Sequence, residues 1–439
     1  MSENLPLIIA SLFMIAVGFT IFFIKVKNTS IAYIYILYLT QYFGILSLID
    51  GFLNEYNDYN QYFIIAAHAI PFFSVLVLYI LLKYTNKMNE AFSINTLVNI
   101  TSDIKIYKIR LYAIYGLIVS IIVKYFVISY YADEIIRGKN GSLTVVYPYF
   151  FKIIVMLSDP ILLITAILFF IISIKNNNKY YLCDIVLLLI SIIYLFVLGR
   201  TILLIFITLA YLLYATLKKI NISKMIIHGM LCIFILMLLG NYYQAYRVDR
   251  DNYVHDISDF LNFDGLISNI KERETSWRFV YLLMNQRWED GFMPDFPGKL
   301  TLEISSIAIP SIFLDDKVDK TGDEIICDAY NILLKDHPSG DVATLFSDFG
   351  IFSPILVALK FLFLQLVFYG IYKLTIKKYP LITVFYLILF TINVLSIDIE
   401  FDTYVRLFIN SLLYGILFLG LISLSCIFPS FKISKKPHI

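Results

Sequence analysis

A few arginines outside the apolar segments are the side chains of this chain best suited to binding an anion. Arg200 occupies the short turn GRT between two very apolar runs, and Arg247 comes shortly after another such run. Arg278 and Arg287 come later in the chain. A guanidinium presents its N–H donors in a planar fork that matches phosphate oxygens. These four residues are therefore candidates for binding phosphate. The alternative is an interfacial anchor for Arg200 and ordinary surface ion pairs for the others.

A second group of residues is able to accept a proton. His337 stands in the segment KDHPSGDVATLFSDFG, and an imidazole with its ordinary pKa of about 6.5 exchanges a proton near neutral pH. A solvated loop histidine is the alternative. Asp159, which precedes Pro160 inside an apolar run, and Asp348 are further candidates. The four cysteines lie far apart and no spacing marks a metal site, so the sequence predicts neither a metal nor another cofactor.

The elements that must position these residues are membrane helices. Of the 439 residues 59% are hydrophobic and 15% are charged, whereas a soluble domain carries about 25% charge, so an ordinary soluble enzyme is excluded. Eleven apolar runs approach the length of about 20 residues that crosses a bilayer. They are residues 5–24, 31–49, 62–82, 111–131, 150–174, 181–198, 201–217, 225–239, 354–372, 381–397 and 407–427. The predicted fold class is an all-α polytopic integral membrane protein.

The cations of the short loops predict the orientation of these spans. Cytoplasmic loops retain Lys and Arg, and one alternating set of loops carries 18 of them against 3 acidic residues. The opposite set is acidic or neutral. Eleven spans with the N-terminus outside and the C-terminus in the cytoplasm satisfy every short loop. The net charge of +2 is thus the sum of a basic inner and an acidic outer face, and it argues against nucleic-acid binding.

Three regions follow from this topology. Residues 1–240 hold spans one to eight, residues 241–342 form a large loop outside the membrane, and residues 343–439 hold the last three spans. The loop carries 10 Lys and Arg against 19 Asp and Glu, and it has no low-complexity stretch. This composition with its amphipathic pieces predicts a folded cap and not a linker.

Three segments of the loop have the features of helices, namely residues 276–289, 323–335 and 340–350. In the third, Asp341 is expected as the N-cap and Gly350 as the C-terminal stop. Arg278 and Arg287 lie nine positions apart on the first. Because 3.6 residues make one turn, the two arginines face opposite sides of an unbroken helix and cannot both line one site.

Aromatic residues of the loop have two possible uses. Tyr242, Tyr243, Trp277 and Trp288 are placed where they can stack on sugar rings. Aromatic side chains are also enriched where a membrane protein meets the lipid–water interface. Both uses remain open.

The layout resembles that of the Wzy-type O-antigen polymerases, which are bacterial oligosaccharide repeat-unit polymerases. The features in common are about eleven spans, one large outer loop near the C-terminal third, and an arginine in a tight outer turn (VLGRTILL). The loop also ends in a His/Pro/Gly segment followed by SDFG. Residues 287–298 (RWEDGFMPDFPG) match a pattern of arginine, ten residues and glycine found in loops of some members.

The resemblance implies a GT-C-like architecture and a metal-independent glycosyltransferase of the bacterial inner membrane. Such an enzyme transfers a glycan chain from undecaprenyl pyrophosphate onto a hydroxyl of an incoming lipid-linked repeat unit. The implied partners are these lipid-linked oligosaccharides, membrane lipid and a chain-length-regulating co-polymerase, with no cofactor. The implied pyrophosphate-binding residues are Arg200, Arg247, Arg278 and Arg287, and the implied catalytic residues are His337, Asp159 and Asp348.

Three other functions remain as alternatives. An O-antigen ligase has the same layout and chemistry but a lipid A core acceptor. A lipid-linked oligosaccharide flippase or other transporter is expected to have short loops throughout and charges inside its spans. A metal-dependent transferase that uses polyprenyl-monophosphate sugars normally has an acidic pair in its first outer loop, which Glu55 and Asp58 match poorly.

Overall fold

The described part of the protein is almost entirely helical. The computed structural model describes residues 4–25, 30–56, 58–130, 135–137, 143–145, 149–174, 180–198, 200–218, 220, 224, 228, 275–309, 320–333, 340–395, 401, 405–406 and 408–416. Within these ranges, two short antiparallel strands, β1 (Ile135–Arg137) and β2 (Leu143–Val145), form the single sheet. The predicted helical class is therefore confirmed in this coarse form.

Besides the helical residues 408–416, fifteen α-helices with defined ends follow one another along the described residues. They are α1 (Leu5–Lys25), α2 (Ile31–Leu53), α3 (Gln61–Tyr84), α4 (Asn86–Ala91), α5 (Ile94–Asp103), α6 (Ile106–Tyr130), α7 (Tyr149–Ile174), α8 (Tyr181–Leu198), α9 (Arg200–Leu217), α10 (Ser276–Trp288), α11 (Lys299–Ala308), α12 (Gly322–Tyr330), α13 (Asp341–Phe349), α14 (Ser353–Thr375) and α15 (Pro380–Leu395). A 3₁₀ turn, Gly350–Phe352, joins α13 to α14. We call α10 to α13 the cap.

Several of these helices have the length and composition of membrane spans. Among the described residues five segments are long and apolar enough to cross a bilayer: Leu5–Ile24, Ile31–Leu53, Gln61–Tyr84, Ile106–Val123 and Asp341–Thr375. Shorter apolar helices cover Pro160–Ile174, Tyr181–Leu195, Ile205–Leu217 and Pro380–Leu395. These segments coincide with nine of the predicted spans. The predicted span at residues 225–239 and most of the one at 407–427 lie outside the described residues.

Contacts between helix ends show which ends share a side of the membrane. The Asn4 side chain, just before α1, donates hydrogen bonds to the Gly51 and Asn54 carbonyls at the end of α2, at 2.8 and 2.6 Å. The backbone N–H of Asn60, just before α3, donates to the Tyr281 hydroxyl of the cap at 2.9 Å. The start of α1, the end of α2 and the start of α3 therefore lie on the cap side.

Two contacts define the opposite side. The backbone N–H of Ile31, at the start of α2, donates to the Phe92 carbonyl between α4 and α5 at 2.9 Å. Arg110 near the start of α6 pairs with Asp184 near the start of α8, with Nε 2.8 Å from Oδ1. An ion pair between the first turns of α6 and α8 requires that α7 return the chain between them. These contacts define relative sides only.

Glycines let α1 and α2 pack closely. A Cβ at Gly18 would lie 1.9 Å from Oγ1 of Thr40, and a Cβ at Gly44 would lie 2.6 Å from Cγ1 of Ile15. Small residues at helix contacts bring two backbones together in a membrane, where dispersion replaces the hydrophobic effect between helices. This close pair places the end of α2, and with it Asp50, beneath the cap.

The cap helices agree with the sequence in position but differ in detail. The helix predicted at 276–289 is confirmed, while the one predicted at 323–335 ends at Tyr330, because Asn331 has φ 51° and stops it in the left-handed region. The stop at Gly350 is confirmed by its φ of 54°. The predicted N-cap is wrong by one residue: Gly340 is the N-cap, and Asp341 turns its side chain to Lys360 instead. Helix α11 was not predicted.

Candidate functional site between the cap and the membrane helices

Asp50 is one of the residues that join the cap to the membrane helices. Its Oδ1 accepts hydrogen bonds from Nδ2 of Asn54 at 2.6 Å and from the Tyr56 hydroxyl at 2.7 Å. Its Oδ2 accepts from Nε1 of Trp277 at 2.8 Å and from Oγ1 of Thr275 at 3.1 Å. The carboxylate is buried, and each hydrogen bond to a charged group contributes about 1.5 to 3 kcal/mol. One acidic side chain thus joins α2, the turn after it and the start of α10.

Tyr56 is held as a neutral donor in this network. Its side chain is buried, and burial together with the neighbouring Asp50 carboxylate raises its pKa well above the usual value. The phenol therefore keeps its proton at every physiological pH and donates it to Asp50. This fixes the direction of the hydrogen bond and the orientation of the ring.

Aromatic rings fill the space around Trp277. The Tyr56 ring meets the indole edge to face with centroids 5.1 Å apart, and Tyr59 packs on Tyr281 at 4.5 Å. The His68 ring of α3 lies 5.8 Å from the indole and nearly parallel to it. Such pairs stabilise a contact by about 0.5 to 1.5 kcal/mol beyond the area they bury. The first turns of α10 are consequently seated on α3 with a defined orientation.

His68 carries an acceptor atom that has no partner. Its Nδ1 lies 2.9 Å from the Ile64 carbonyl oxygen, so Nδ1 is assigned as the protonated nitrogen and Nε2 keeps a lone pair. Nε2 is buried and makes no hydrogen bond. Its ring contact with Trp277 gives His68 a packing role between α3 and α10.

Arg278 lies at the edge of the aromatic cluster, next to Trp277 in the chain. Its Nε donates to the Tyr59 hydroxyl at 3.2 Å, and its guanidinium carbon lies 6.0 Å from the centre of the Tyr56 ring. A cation over an aromatic face is attracted by the ring quadrupole. The side chain is half-buried. A guanidinium is thereby held where the α2–α3 turn meets the cap.

Arg287 lies on the opposite face of α10, as its spacing from Arg278 predicts. Its Nη1 donates to the Ser347 and Phe346 carbonyls at 3.1 and 3.4 Å and to the Tyr330 hydroxyl at 3.1 Å. These carbonyls belong to the last turn of α13, where a helix is short of donors and carries negative partial charge. A Cβ at Gly350 would lie 3.1 Å from the guanidinium carbon, so glycine leaves room for it. Arg287 therefore caps α13.

Asp348 caps the N-terminus of α11, as Arg287 caps the C-terminus of α13. Its carboxylate accepts hydrogen bonds from the backbone N–H of Leu300, at 3.1 Å, and from the N–H and hydroxyl of Thr301. These groups open α11, where N–H donors lack partners and a negative charge is favoured. The residue is buried. Its carboxylate is thus engaged in joining α13 to α11.

Replacing Asp348 by alanine is expected to destabilise the cap by about 0.5 to 2 kcal/mol, the usual cost of losing a helix cap. The reason is that the first N–H groups of α11 lose their acceptor in a buried place. The thermal unfolding midpoint of the detergent-solubilised protein measures the effect. Asp295→Ala is the control, because the Asp295 side chain is 78% exposed and its pair with Lys299 lies on the surface. Equal midpoints for the two variants would refute the capping role.

Lys360 and Asp341 form a buried ion pair between the cap and α14. Nζ of Lys360 donates to Oδ1 of Asp341, with side-chain exposures of 12% and 1%. Nζ also lies 4.3 Å from the centre of the Phe401 ring. The nearby carboxylate and ring hold the Lys360 ammonium inside the protein. Oδ2 of Asp341 makes no hydrogen bond.

Comparisons with protein-family models, with curated proteins and with solved structures find no match for this chain. Its function is therefore inferred from its own residues and their geometry. Among the described residues no group of three or more His, Cys, Asp or Glu is arranged to hold a metal ion.

The predicted site residues fall into three groups, according to how much of each residue the structure describes. Arg278, Arg287 and Asp348 are described, and they occupy separate places in the cap. Arg200 is the first residue of α9 and Asp159 lies within α7, but their side chains are outside the described part. Arg247 and His337 lie outside the described residues. These four assignments stay predictions.

Sequence reasoning missed Asp50 and the tyrosines that follow it. Asp50 stands directly after an apolar run, at the start of the segment DGFLNEYNDYNQ. An acidic residue in the last turn of a span is costly unless it is satisfied. That position was the available signal. Its partner Trp277 lies 227 positions away, so no spacing could identify the pair.

Proposed function

We propose that this chain is an oligosaccharide repeat-unit polymerase of the membrane. It would transfer a glycan chain from undecaprenyl pyrophosphate onto a hydroxyl of a second lipid-linked repeat unit. The proposal includes eleven spans, a GT-C-like arrangement and a cap on the outer face of the bacterial inner membrane. The single observation that carries it is the Arg278 guanidinium, held at the junction of the cap and the ends of α2 and α3.

Arg278 lies near the ends of the spans, where the pyrophosphate of a polyprenyl lipid is expected. Tyr56 and Tyr59, which contact its guanidinium, lie in the turn between the end of α2 and the start of α3. The ends of spans lie near the lipid headgroups. A polyprenyl chain is confined to the bilayer, so its pyrophosphate is carried at the same height. A fixed planar fork there matches phosphate oxygens in two places at once.

The aromatic surroundings suit a sugar. Tyr59 is half-buried beside the guanidinium, and its ring packs on Tyr281. An aromatic face presents an apolar surface to the C–H face of a pyranose. A glycan next to its pyrophosphate would meet this ring face at the edge of the cap.

The proposed reaction is one substitution at the anomeric carbon. The acceptor hydroxyl oxygen forms the new glycosidic bond, the bond from the anomeric carbon to the pyrophosphate oxygen breaks, and the hydroxyl proton passes to a base. Negative charge grows on the pyrophosphate, where guanidinium groups stabilise the transition state more than the ground state. Arg200 and Arg247 are the further proposed phosphate ligands. Arg287 is the least suitable of the four predicted arginines, because it lies on the opposite face of α10 and caps α13.

His337 is the proposed proton acceptor, with Asp159 in reserve. An imidazole near its ordinary pKa is suited to this step at neutral pH. The Asp348 carboxylate already accepts hydrogen bonds from the start of α11, so it is the least suitable of the three predicted catalytic residues. A chain-length-regulating co-polymerase is the proposed protein partner.

Deletion of the gene in the native host, with the surface polysaccharide separated on a gel, tests this function. We expect loss of the ladder and its replacement by lipid A core that carries one repeat unit. The reason is that a single unit can still be exported and ligated when polymerisation stops. Complementation with the wild-type chain should restore the ladder, and complementation with Arg200→Ala or His337→Ala at equal expression should not.

Two outcomes would reject the polymerase. Bare core without any repeat unit would indicate a ligase or a flippase, since both act on the first unit as well as on longer chains. An unchanged ladder would remove the chain from this pathway altogether.

A further inference from the structure

The cap exposes a group of large apolar side chains. Trp288 ends α10, Phe292, Met293 and Phe296 lie in the loop that follows, and Leu302 lies on α11. Their exposed fractions are 51%, 36%, 59%, 51% and 65% in that order. We call these five residues the lip. An exposed apolar group of this size on a folded element marks a surface that meets something other than water.

The lip lies level with the ends of two spans. The Trp288 ring is 5.9 Å from the Phe63 ring, and Phe63 belongs to the first turn of α3. The preceding residue, Arg287, lies against Gly350, three residues before α14 begins. Helices α3 and α14 pack on each other and both start at this end. The lip is therefore at the height where the hydrocarbon of the bilayer gives way to headgroups.

Exposed apolar residues continue from the span ends at the same height. Tyr62 at the start of α3 is 82% exposed, and Ile351 and Phe352 in the turn before α14 are 72% and 66% exposed. In a membrane protein such residues at the end of a span face lipid. The exposed apolar surface thus continues from the span ends to the elements that Trp288 and Arg287 touch.

Charges within the same loop limit how deeply it can enter the bilayer. Glu289, Asp290 and Asp295 are exposed between the apolar residues, and Lys299 pairs with Asp295. Carboxylates are costly in hydrocarbon but are solvated among headgroups. Gly291 and Gly298 have φ of 73° and 94°, so the loop turns sharply on both sides of its apolar residues. Apolar and acidic side chains can then face lipid and water respectively.

We infer that the lip rests in the interface of the adjacent lipid leaflet, with its apolar side chains at the boundary between headgroups and acyl chains. The cap is then a peripheral element that contacts the bilayer next to the spans, not a domain suspended in water. Elements of this kind reach about 5 to 10 Å into that boundary. This inference concerns lipid and holds whatever reaction the protein catalyses.

The two tryptophans of the chain allow a direct test. Trp277 is 1% exposed and Trp288 is 51% exposed, so the fluorescence lost in Trp288→Phe is the contribution of the lip. Wild type and Trp288→Phe are reconstituted in phosphatidylcholine vesicles that carry bromine either on acyl carbons near the headgroup or near the chain end. Iodide in the buffer serves as the water-borne quencher. Phenylalanine keeps an aromatic ring beside Phe63, so the variant is expected to fold.

The expected result is strong quenching of the Trp288 component by shallow bromine, weaker quenching by deep bromine and little quenching by iodide. The Trp277 signal that remains in Trp288→Phe should be quenched by shallow bromine much less than the Trp288 component is. The reason is that the Trp277 indole is enclosed by Tyr56, His68 and Tyr281. Quenching of Trp288 by iodide but not by bromine would overturn the inference in favour of a water-exposed cap. Protection from both quenchers would overturn it in favour of coverage by protein, such as a second copy.

Discussion

Replacing Arg278 by alanine is expected to slow polymer formation by about 10²- to 10³-fold, the usual effect of removing one donor to a developing negative charge. The guanidinium sits half-buried between Tyr59 and the Tyr56 ring, at the height where a lipid-linked pyrophosphate is carried. Its loss would remove stabilisation of the leaving group while α10 remains anchored through Trp277. The rate of polymer formation from purified lipid-linked repeat units, with the reconstituted protein, measures the effect.

Two control variants separate catalysis from packing. Arg278→Lys keeps the charge but loses the planar fork, so it should retain part of the activity. Tyr59→Phe keeps the ring and removes only the hydroxyl that accepts from Nε, so its loss should be far smaller than that of Arg278→Ala. Equal activity of wild type and Arg278→Ala, at equal thermal stability, would exclude Arg278 from the site. Equal losses in Arg278→Ala and Tyr59→Phe would indicate a structural effect instead.

Replacing Lys360 by methionine is expected to destabilise the protein by about 3 to 5 kcal/mol, because it leaves the Asp341 carboxylate buried without a counter-charge. The Asp341 side chain is 1% exposed and Lys360 is its ion-pair partner. The pair joins the first residue of α13 to α14, so its loss should loosen the cap before the spans. The thermal midpoint in detergent should fall by several degrees, and limited proteolysis should cut within the cap first.

The double variant Asp341→Asn with Lys360→Met provides the matched control. With both charges removed no uncompensated ion remains, and replacing a whole buried pair is often close to neutral. The double variant should therefore recover most of the stability that Lys360→Met loses. A double variant as unstable as the single one would show that Lys360 acts through its contact with Phe401 and not through the ion pair.

Much of the helical framework followed from local features. A bilayer requires long apolar runs, and nine of the eleven predicted runs coincide with described helices. Helix α10 was predicted from the spacing of its apolar residues Phe279, Leu282, Leu283 and Met284. Three of these are buried, and Leu282 is half-buried. The opposite directions of Arg278 and Arg287 followed from helical periodicity alone. Signals of this kind act within a few residues, so one sequence is enough to reveal them.

Helix α11 shows why other elements escaped prediction. It is ten residues long, follows a loop rich in glycine and proline, and begins at Gly298 with φ 94°. Isolated helices of this length are marginal in water, because nucleation is unfavourable. Its first N–H groups are satisfied by Asp348, which lies 47 or more positions away. The stability of α11 thus depends on Asp348, and no local sequence pattern indicates this partner.

The sequence by itself determined that the chain is a helical membrane protein. It also predicted one large loop and made a few arginines of this loop the candidates for binding an anion. Only the tertiary structure decided what each charge does. Asp50 anchors Trp277, Arg287 caps α13 and Asp348 caps α11, while Arg278 remains at the junction of cap and membrane. The physical reason is that apolar periodicity is local, whereas a buried charge is satisfied by whichever donors the packed chain brings to it.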